Sequence, residues 1–385
     1  MANADHRSSA GIAGDLSLAW QAIELATIDV EARVRAWTWW CNYTTANGFV
    51  DPFLQSQPPS NRLHVLLAFA AKVRSGDLGK GKQVKLGTVT GTVRFVGQTF
   101  QLAGHSDPRT LPGSKQLHLA LSRLYSAYKQ IDPATQSQIA LPVAIFENIM
   151  ANEGVSRLPN VRATADLTII AFFFLLRVGE YTQPTSRRPT RTTQFRLKDA
   201  TFWRHQTDGT HVRLPFDAPD EALLLAKAVT LTLDNQKNSE RDSTLHHDAV
   251  PGPMNPVTAV ARRFVAARAA SNANPDALLC QYSASGHVQA SAISKILLVA
   301  LRRTSLQNKG FIQSRIGSHS IRASGAMALY LNAVDPTLIK KLGRWRSDTW
   351  LTYIHNQIGE LTEGLATKMS RPIVFHNVAA ARLVA

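Results

Sequence analysis

Apolar residues recur at helical spacing along most of the chain, and the stops between them are Gly, Pro and short polar clusters. The pattern predicts a first helix over residues 29–48, "DVEARVRAWTWWCNYTTANG", ended by Gly48. A second covers 60–76, with Ser60 or Asn61 as N-cap and Gly76 as stop; a third covers 86–104 and a fourth 113–132. Residues 143–153 and the apolar run "LTIIAFFFLL", Leu167–Leu176, predict two more. That run is about half of what a bilayer requires, so it is expected to be a buried helix rather than a membrane span.

The period then changes. "DATFWRHQTDGTHVRLPF", residues 199–216, places a DG turn between two strand-like runs, and residues 228–248 place a polar loop between two more. Helical spacing returns after "PGPMNP", over 257–271, 289–304 and 318–355. The expected fold is mainly α with a small antiparallel sheet (α+β). The expected division is a loosely ordered segment 1–26, an all-α unit 27–130, a polar, Pro-bounded linker 131–141, a mixed unit 142–372 and an apolar tail 373–385.

Composition narrows the partner. The 385 residues carry 43 Lys and Arg against 27 Asp and Glu, a formal charge of +16 with a pI near 10.2. Such an excess suits a polyanion, and nucleic acid first. Cys41 and Cys280 are the only cysteines. They cannot build a disulfide framework or a zinc site, so an intracellular, reducing setting is expected, with no secretion signal at the N-terminus and no membrane association.

Some motifs mislead. "GDLGKGKQ", Gly76–Gln83, approaches a phosphate-binding loop, but Gln83 stands where Ser or Thr should hold magnesium and a helix precedes it where a strand should. His205, His211, His246 and His247 fall on predicted strands without a cysteine or carboxylate grouping, and read as ordinary strand residues. "NYT" at Asn42 matches a glycosylation sequon but lacks the secretory context that would give it meaning. No metal or cofactor is expected.

The chemistry gathers elsewhere. Arg177 is expected to end the buried helix, where a guanidinium either reaches water or serves an enclosed anion, and Glu180 is spaced to orient it. A purely structural Arg–Glu pair is the alternative. His319 and Arg322 are three apart and share a helix face, followed by the small residues of "ASGAMA", which permit close packing. Two arginines can grip the two non-bridging oxygens of one phosphodiester. Tyr353, thirty-one residues after Arg322, is the candidate nucleophile, with His319 as proton acceptor or phosphate donor. Lys237, in a polar hairpin loop, suits a general acid for the leaving sugar oxygen; a plain solvated lysine is the alternative. Trp345 or its neighbour Arg344 would complete the pocket.

"LLRVGEY", "HSIR" and "LGRWRSDTWLTYIH" in this order resemble the tyrosine recombinases, and the "LGRW…YI" form looks most like those of eukaryotic DIRS-like and Crypton mobile elements. The resemblance spans about 131–372, with the first four helices similar to the family's core-binding domain and the mixed unit to its catalytic domain. It implies DNA cleavage and rejoining through a 3′-phosphotyrosyl intermediate, without ATP or metal, for recombination or integration. Arg177 and Arg322 would bind the scissile phosphate, His319 would assist proton transfer, Lys237 would protonate the 5′-oxygen, and Tyr353 would attack. Many members carry His or Trp nine residues before the tyrosine; here Arg344 has that spacing and Trp345 is eight away. Chemistry favours Trp345 and counting favours Arg344. The implied partners are double-stranded DNA and further copies of the chain, a dimer to tetramer on DNA, with the tail docking in trans. The implied location is at DNA, the nucleus in a eukaryote. A type IB topoisomerase-like enzyme and a non-catalytic DNA-binding protein derived from a mobile element are the competing readings.

Overall fold

The computed structural model describes residues 30–111, 113–133, 138–183, 192–206, 210–234, 243–355 and 365–370. The segment 1–26, Lys237 and the tail 373–385 lie outside them. The chain forms two compact units that part between Thr135 and Gln136.

The first unit is helical: α1 Val30–Ala46, α2 Pro59–Ser75, α3 Leu86–Leu102 and α4 Leu119–Ile131. Its core is aromatic. Trp40, Phe69 and Phe100 meet edge to face, and Trp37 and Phe53 close the cluster. The Trp40 indole N–H would otherwise be stranded in that core, and it donates to the Pro52 carbonyl at 2.8 Å. Helix α2 begins one turn-step earlier than its Ser and Asn suggest, with Pro59 in the first helical position, where the missing N–H costs nothing. Gly76 ends it at φ +84°, and a Cβ there would lie 2.0 Å from the Lys82 carbonyl oxygen. The Gly79 and Gly81 N–H groups both donate to the Gly76 carbonyl. The basic loop therefore spends on itself the amides that a phosphate-binding loop would offer. Helix α4 starts at Leu119, not near residue 113, because Leu117 pairs with Thr110 in an isolated bridge and His118 caps the helix.

The predicted linker 131–141 is anchored at both ends. Ile131 is the last residue of α4, and the Asp132 carboxylate accepts from the Leu86 N–H at 2.7 Å and pairs with Arg74 at 2.5 Å. In the second unit, Ile139 N–H donates to the Arg315 carbonyl and Leu141 N–H to Ser324 Oγ at 2.7 Å.

The second unit is mixed. Helices α5 Val143–Asn152, α6 Pro159–Phe173 and the one-turn α7 Val178–Tyr181 precede strands β1 Ala200–His205 and β2 His211–Arg213. After α8 Asp220–Leu224 come β3 Ala228–Leu233 and β4 Ser243–Asp248. Then follow α9 Pro256–Ala270, α10 Ala290–Arg303, α11 Ser318–Leu331, α12 Pro336–Leu342, α13 Leu351–His355 and α14 Leu365–Met369. The described strands form one antiparallel sheet in the order β2-β1-β3-β4, with Phe202 facing Val229 and Leu231 facing Leu245. The architecture is mainly helical with a small antiparallel sheet, as the sequence pattern indicates. His205, His211, His246 and His247 all lie on strands.

Helix α6 is the axis of this unit. Every residue from Ala163 to Phe172 is buried. Its polar members are paired: Thr164 and Thr168 bond back to carbonyls one turn earlier, and Asp166 holds Arg262. The helix ends at Phe173, short of the expected end at Arg177. The chain turns out of it through Leu175, whose φ is +48°. Helix α11 crosses this end so closely that a Cβ on Gly325 would lie 2.4 Å from the Phe172 carbonyl oxygen and 2.4 Å from Leu175 Cδ2. We expect Gly325→Ala to cost about 1–3 kcal/mol, because backbone rather than a flexible side-chain end opposes the methyl. A urea midpoint equal to that of the unsubstituted protein would show that the helices can part without penalty.

Candidate functional site

The turn after α6 collects the side chains predicted to act together. Arg177 is not the end of the buried helix; it is the N-cap of α7. Its backbone N–H donates to Glu180 Oε2 at 2.8 Å, and its Nη1 donates to Glu180 Oε1 at 3.2 Å. The short helix thus exists because Glu180 reaches back to its start, and the same carboxylate fixes the guanidinium. Glu180 is fully buried, while the Arg177 side chain is 19% exposed.

Arg322 enters from α11 and is 3% exposed. Among the described residues, no carboxylate forms an ion pair with it. Its Nη1 donates to the Leu175 carbonyl and its Nη2 to the Gly343 carbonyl. The indole of Trp345 lies over its guanidinium at 4.3 Å from the ring centroid. Burial, with Arg344 and Arg177 nearby, pushes Arg322 down to about 9, while Glu180 and Tyr353 act in the opposite direction. It remains a cation at neutral pH.

Arg344 and Trp345, which the sequence leaves as rivals for one place, occupy different ones. Arg344 sits at φ +56° and is 6% exposed. It donates to Glu180 Oε1 at 3.2 Å, to Glu180 Oε2 at 3.0 Å and to the Leu175 carbonyl at 3.2 Å. The half-buried Trp345 folds back over Gly343, where a Cβ would lie 1.6 Å from Trp345 Cζ3. That close approach requires glycine at 343. Leu175 and Arg344 are both non-glycine residues in the left-handed region, so two strained backbone positions border one cluster of charges.

Tyr353 lies on α13, half-buried, with its ring centroid 6.3 Å from that of Trp345. Its place is set by its neighbours. Trp350 and Ile354 are buried with Ala323, Ala326 and Ile339, so the helix bearing the phenol packs on the helix bearing Arg322. Asp335 caps α12 through the Thr337 and Leu338 N–H groups, and Lys340 pairs with Asp348, which fixes the intervening turn.

Arg177, Glu180, Arg322, Arg344, Trp345 and Tyr353 are therefore gathered in one place. His319 is on the first turn of α11, one turn before Arg322, and is exposed. Lys237 lies outside the described residues. Among the described residues, no group of three or more His, Cys, Asp and Glu is placed to hold a metal ion, and no helix is long and apolar enough to cross a membrane.

Three contributors had no signal in the sequence. The Leu175 and Gly343 carbonyls act through the backbone, which a side-chain pattern cannot show. The third is His247 on β4. Its Nε2 lies 2.9 Å from the Phe173 carbonyl, and its ring meets Phe174 edge-on at 4.6 Å. A carbonyl only accepts, so Nε2 carries the proton. Burial pushes His247 below the ordinary value of 6.5, outweighing the carbonyl bond.

The unfolded chain therefore takes up this proton before the folded one does. The contribution of His247 is complete above about pH 6.5 and declines as pH falls through that value. We expect the melting temperature of His247→Gln to fall less steeply between pH 7 and 5 than that of the unsubstituted protein. Parallel curves would assign the acid sensitivity to other groups.

No protein-family model matches the chain, and no curated protein sequence matches it. Among solved structures, it is similar to the XerH site-specific recombinase bound to its difH substrate, at 13% identity over 86% of this chain and 75% of that chain, with a TM-score of 0.46. It is similar to the Tn1549 transposon integrase in complex with circular-intermediate DNA, at 13% identity over 83% and 94%, with a TM-score of 0.42. It is also similar to a lambda integrase dimer bound to a core site, at 11% identity over 94% and 98%, with a TM-score of 0.40. At such identities, what the chain does has to be argued from its own residues.

Proposed function

We propose that this protein is a DNA breaking and rejoining enzyme of the tyrosine recombinase type, acting on double-stranded DNA. The carrying observation is a chain of neighbours drawn from separate stretches of sequence: Arg177 held by the buried Glu180, the buried Arg322 close enough to feel both, Trp345 over Arg322, and Tyr353 beside Trp345. A structural Arg–Glu pair requires one arginine. It does not require a second buried guanidinium that pairs with no carboxylate among the described residues, with a phenol close by.

In this reading Arg177 and Arg322 take the two non-bridging oxygens of the scissile phosphate. The Tyr353 oxygen attacks phosphorus, a phosphotyrosyl ester forms at the 3′ side, and the bond to the 5′-oxygen breaks. His319, exposed one turn from Arg322, accepts the phenolic proton or donates to the phosphate. Lys237 gives a proton to the departing 5′-oxygen. Attack by a 5′-hydroxyl of another strand reverses the chemistry and joins new partners. The ester conserves the energy of the broken bond, so the exchange is balanced without a nucleoside triphosphate. The charge of +16 supplies phosphate contacts along the duplex. Assembly of two to four copies on DNA through the tail after residue 372, and an origin in a DIRS-like or Crypton element, belong to the same proposal.

The test is a nicked duplex, chosen by the protein from a randomised pool, that traps a covalent adduct on a denaturing gel. An adduct with exchanged strands supports recombination, relaxed plasmid without exchange supports a topoisomerase, and binding without any adduct supports a non-catalytic protein. Tyr353→Phe is expected to lose the adduct while its affinity for duplex stays within about twofold, because phosphate contacts elsewhere carry affinity. An adduct that persists in Tyr353→Phe would remove this residue as nucleophile.

Lys237→Ala is expected to be slow on ordinary DNA and restored on a 5′-bridging phosphorothiolate, whose sulfur leaves with little protonation. An equal defect on both substrates would place the general acid elsewhere.

A further inference from the structure

Three guanidiniums share this site, and two suffice for the two non-bridging oxygens of a phosphodiester. Arg344 is the third. It stands nine residues before Tyr353, at the spacing where the resemblance implies a side chain that reaches the phosphate. Its geometry points the other way. Both terminal nitrogens are engaged by Glu180, and one also by the Leu175 carbonyl, with the side chain only 3% exposed. Arg177 meets the same carboxylate through one terminal nitrogen and keeps a side chain that solvent reaches. The backbone of Arg344 is in the left-handed region, a cost accepted where the surroundings over-determine a conformation.

We infer that Arg344 is a positioning residue that never touches the phosphate: it fixes the Glu180 carboxylate and the Leu175 carbonyl, from which Arg177 and Arg322 hang, and leaves the place beside the phosphate to Trp345. This inference rests on the phosphodiester-cleaving reading of the site. Without Arg344, the turn that carries Trp345 would lose its anchor on Glu180 and the Leu175 carbonyl, and Trp345, with Tyr353 beside it, would be misplaced whatever charge the phosphate carries. With Arg344 in place, one carboxylate neutralises one of three guanidiniums. Two positive charges remain for a diester that carries one negative charge and approaches two as the phenolic oxygen adds.

The experiment measures single-turnover adduct formation on the selected nicked duplex, with the scissile phosphate either ordinary or replaced by an uncharged methylphosphonate. The unsubstituted protein is compared with Arg322→Ala, Arg344→Met, Arg344→Lys, Glu180→Gln and the Arg344→Met/Glu180→Gln double variant. A group that neutralises phosphate charge becomes dispensable on methylphosphonate, whereas a positioning group does not. Arg322→Ala should therefore recover by about tenfold or more on the neutral substrate. Arg344→Met should lose on the order of a hundredfold on both substrates, the scale of a misplaced reacting group. Arg344→Lys should stay impaired, because an ammonium cannot fork across a carboxylate. The double variant should be within about threefold of the worse single one, as expected of residues acting through each other.

Recovery of Arg344→Met on methylphosphonate, or a double variant whose loss is the product of the single losses, would overturn the inference alone. If Arg344→Met does not fold, Arg344→Lys carries the same substrate comparison. An unsubstituted protein that forms no adduct with any duplex would overturn the functional reading and this inference with it.

Discussion

The second unit depends on how the carbonyl end of one buried helix is satisfied. Helix α6 carries its apolar residues into the core and stops at Phe173, leaving carbonyls without intrahelical donors at the negative end of its dipole. The Phe174 and Leu176 N–H groups take the Ile170 and Ala171 carbonyls, in a turn whose residues Phe174, Leu175 and Leu176 are buried. The Phe173 carbonyl receives His247, and the Leu175 carbonyl receives both Arg322 and Arg344. A position that must recruit donors is well suited to hold cations, and this explains how several guanidiniums can be buried around a single carboxylate. Helix α11 can bring Arg322 to that end only because Gly325 admits the Phe172 carbonyl against its backbone.

Glu180 then sets the division of labour among the arginines. It starts α7 by capping Arg177, orients the Arg177 side chain and grips Arg344. Arg322 is left with backbone acceptors and an indole face. Those are weaker holds on a charge than a carboxylate, so its attraction for an incoming anion is retained. The same economy places Trp345 beside both the Arg322 guanidinium and the Tyr353 ring. The phenol is positioned by an apolar cluster from α11, α12 and α13 rather than by polar partners. The helices that bear Arg322 and Tyr353 are thus packed as one body.

The sequence by itself determined the class and most of the element list. Helical spacing in the first half and the switch to alternation between residues 199 and 248 follow from where apolar side chains must point, a local matter. It also determined which residue types were available: the order of Arg177, His319, Arg322 and Tyr353, and the small side chains after Arg322 that allow a close crossing. Lys237 and the tail 373–385 fall outside the described residues, so the roles assigned to them rest on sequence.

Tertiary structure decided what depends on contacts between distant segments. Apolar composition continues through Leu176, so the periodicity could not show that α6 ends at Phe173; the turn is set by partners some 75 to 170 residues away in sequence, His247, Arg322 and Arg344. Nor could spacing separate Arg344 from Trp345. Both are plausible phosphate ligands in a linear motif, and only the fold shows that Glu180 takes the first while Arg322 takes the second. His247 looked like any strand residue because its acceptor is a main-chain carbonyl on another element. The backbone carbonyls of Leu175 and Gly343 exist at every residue, and only three-dimensional placement makes these two the seats of Arg322.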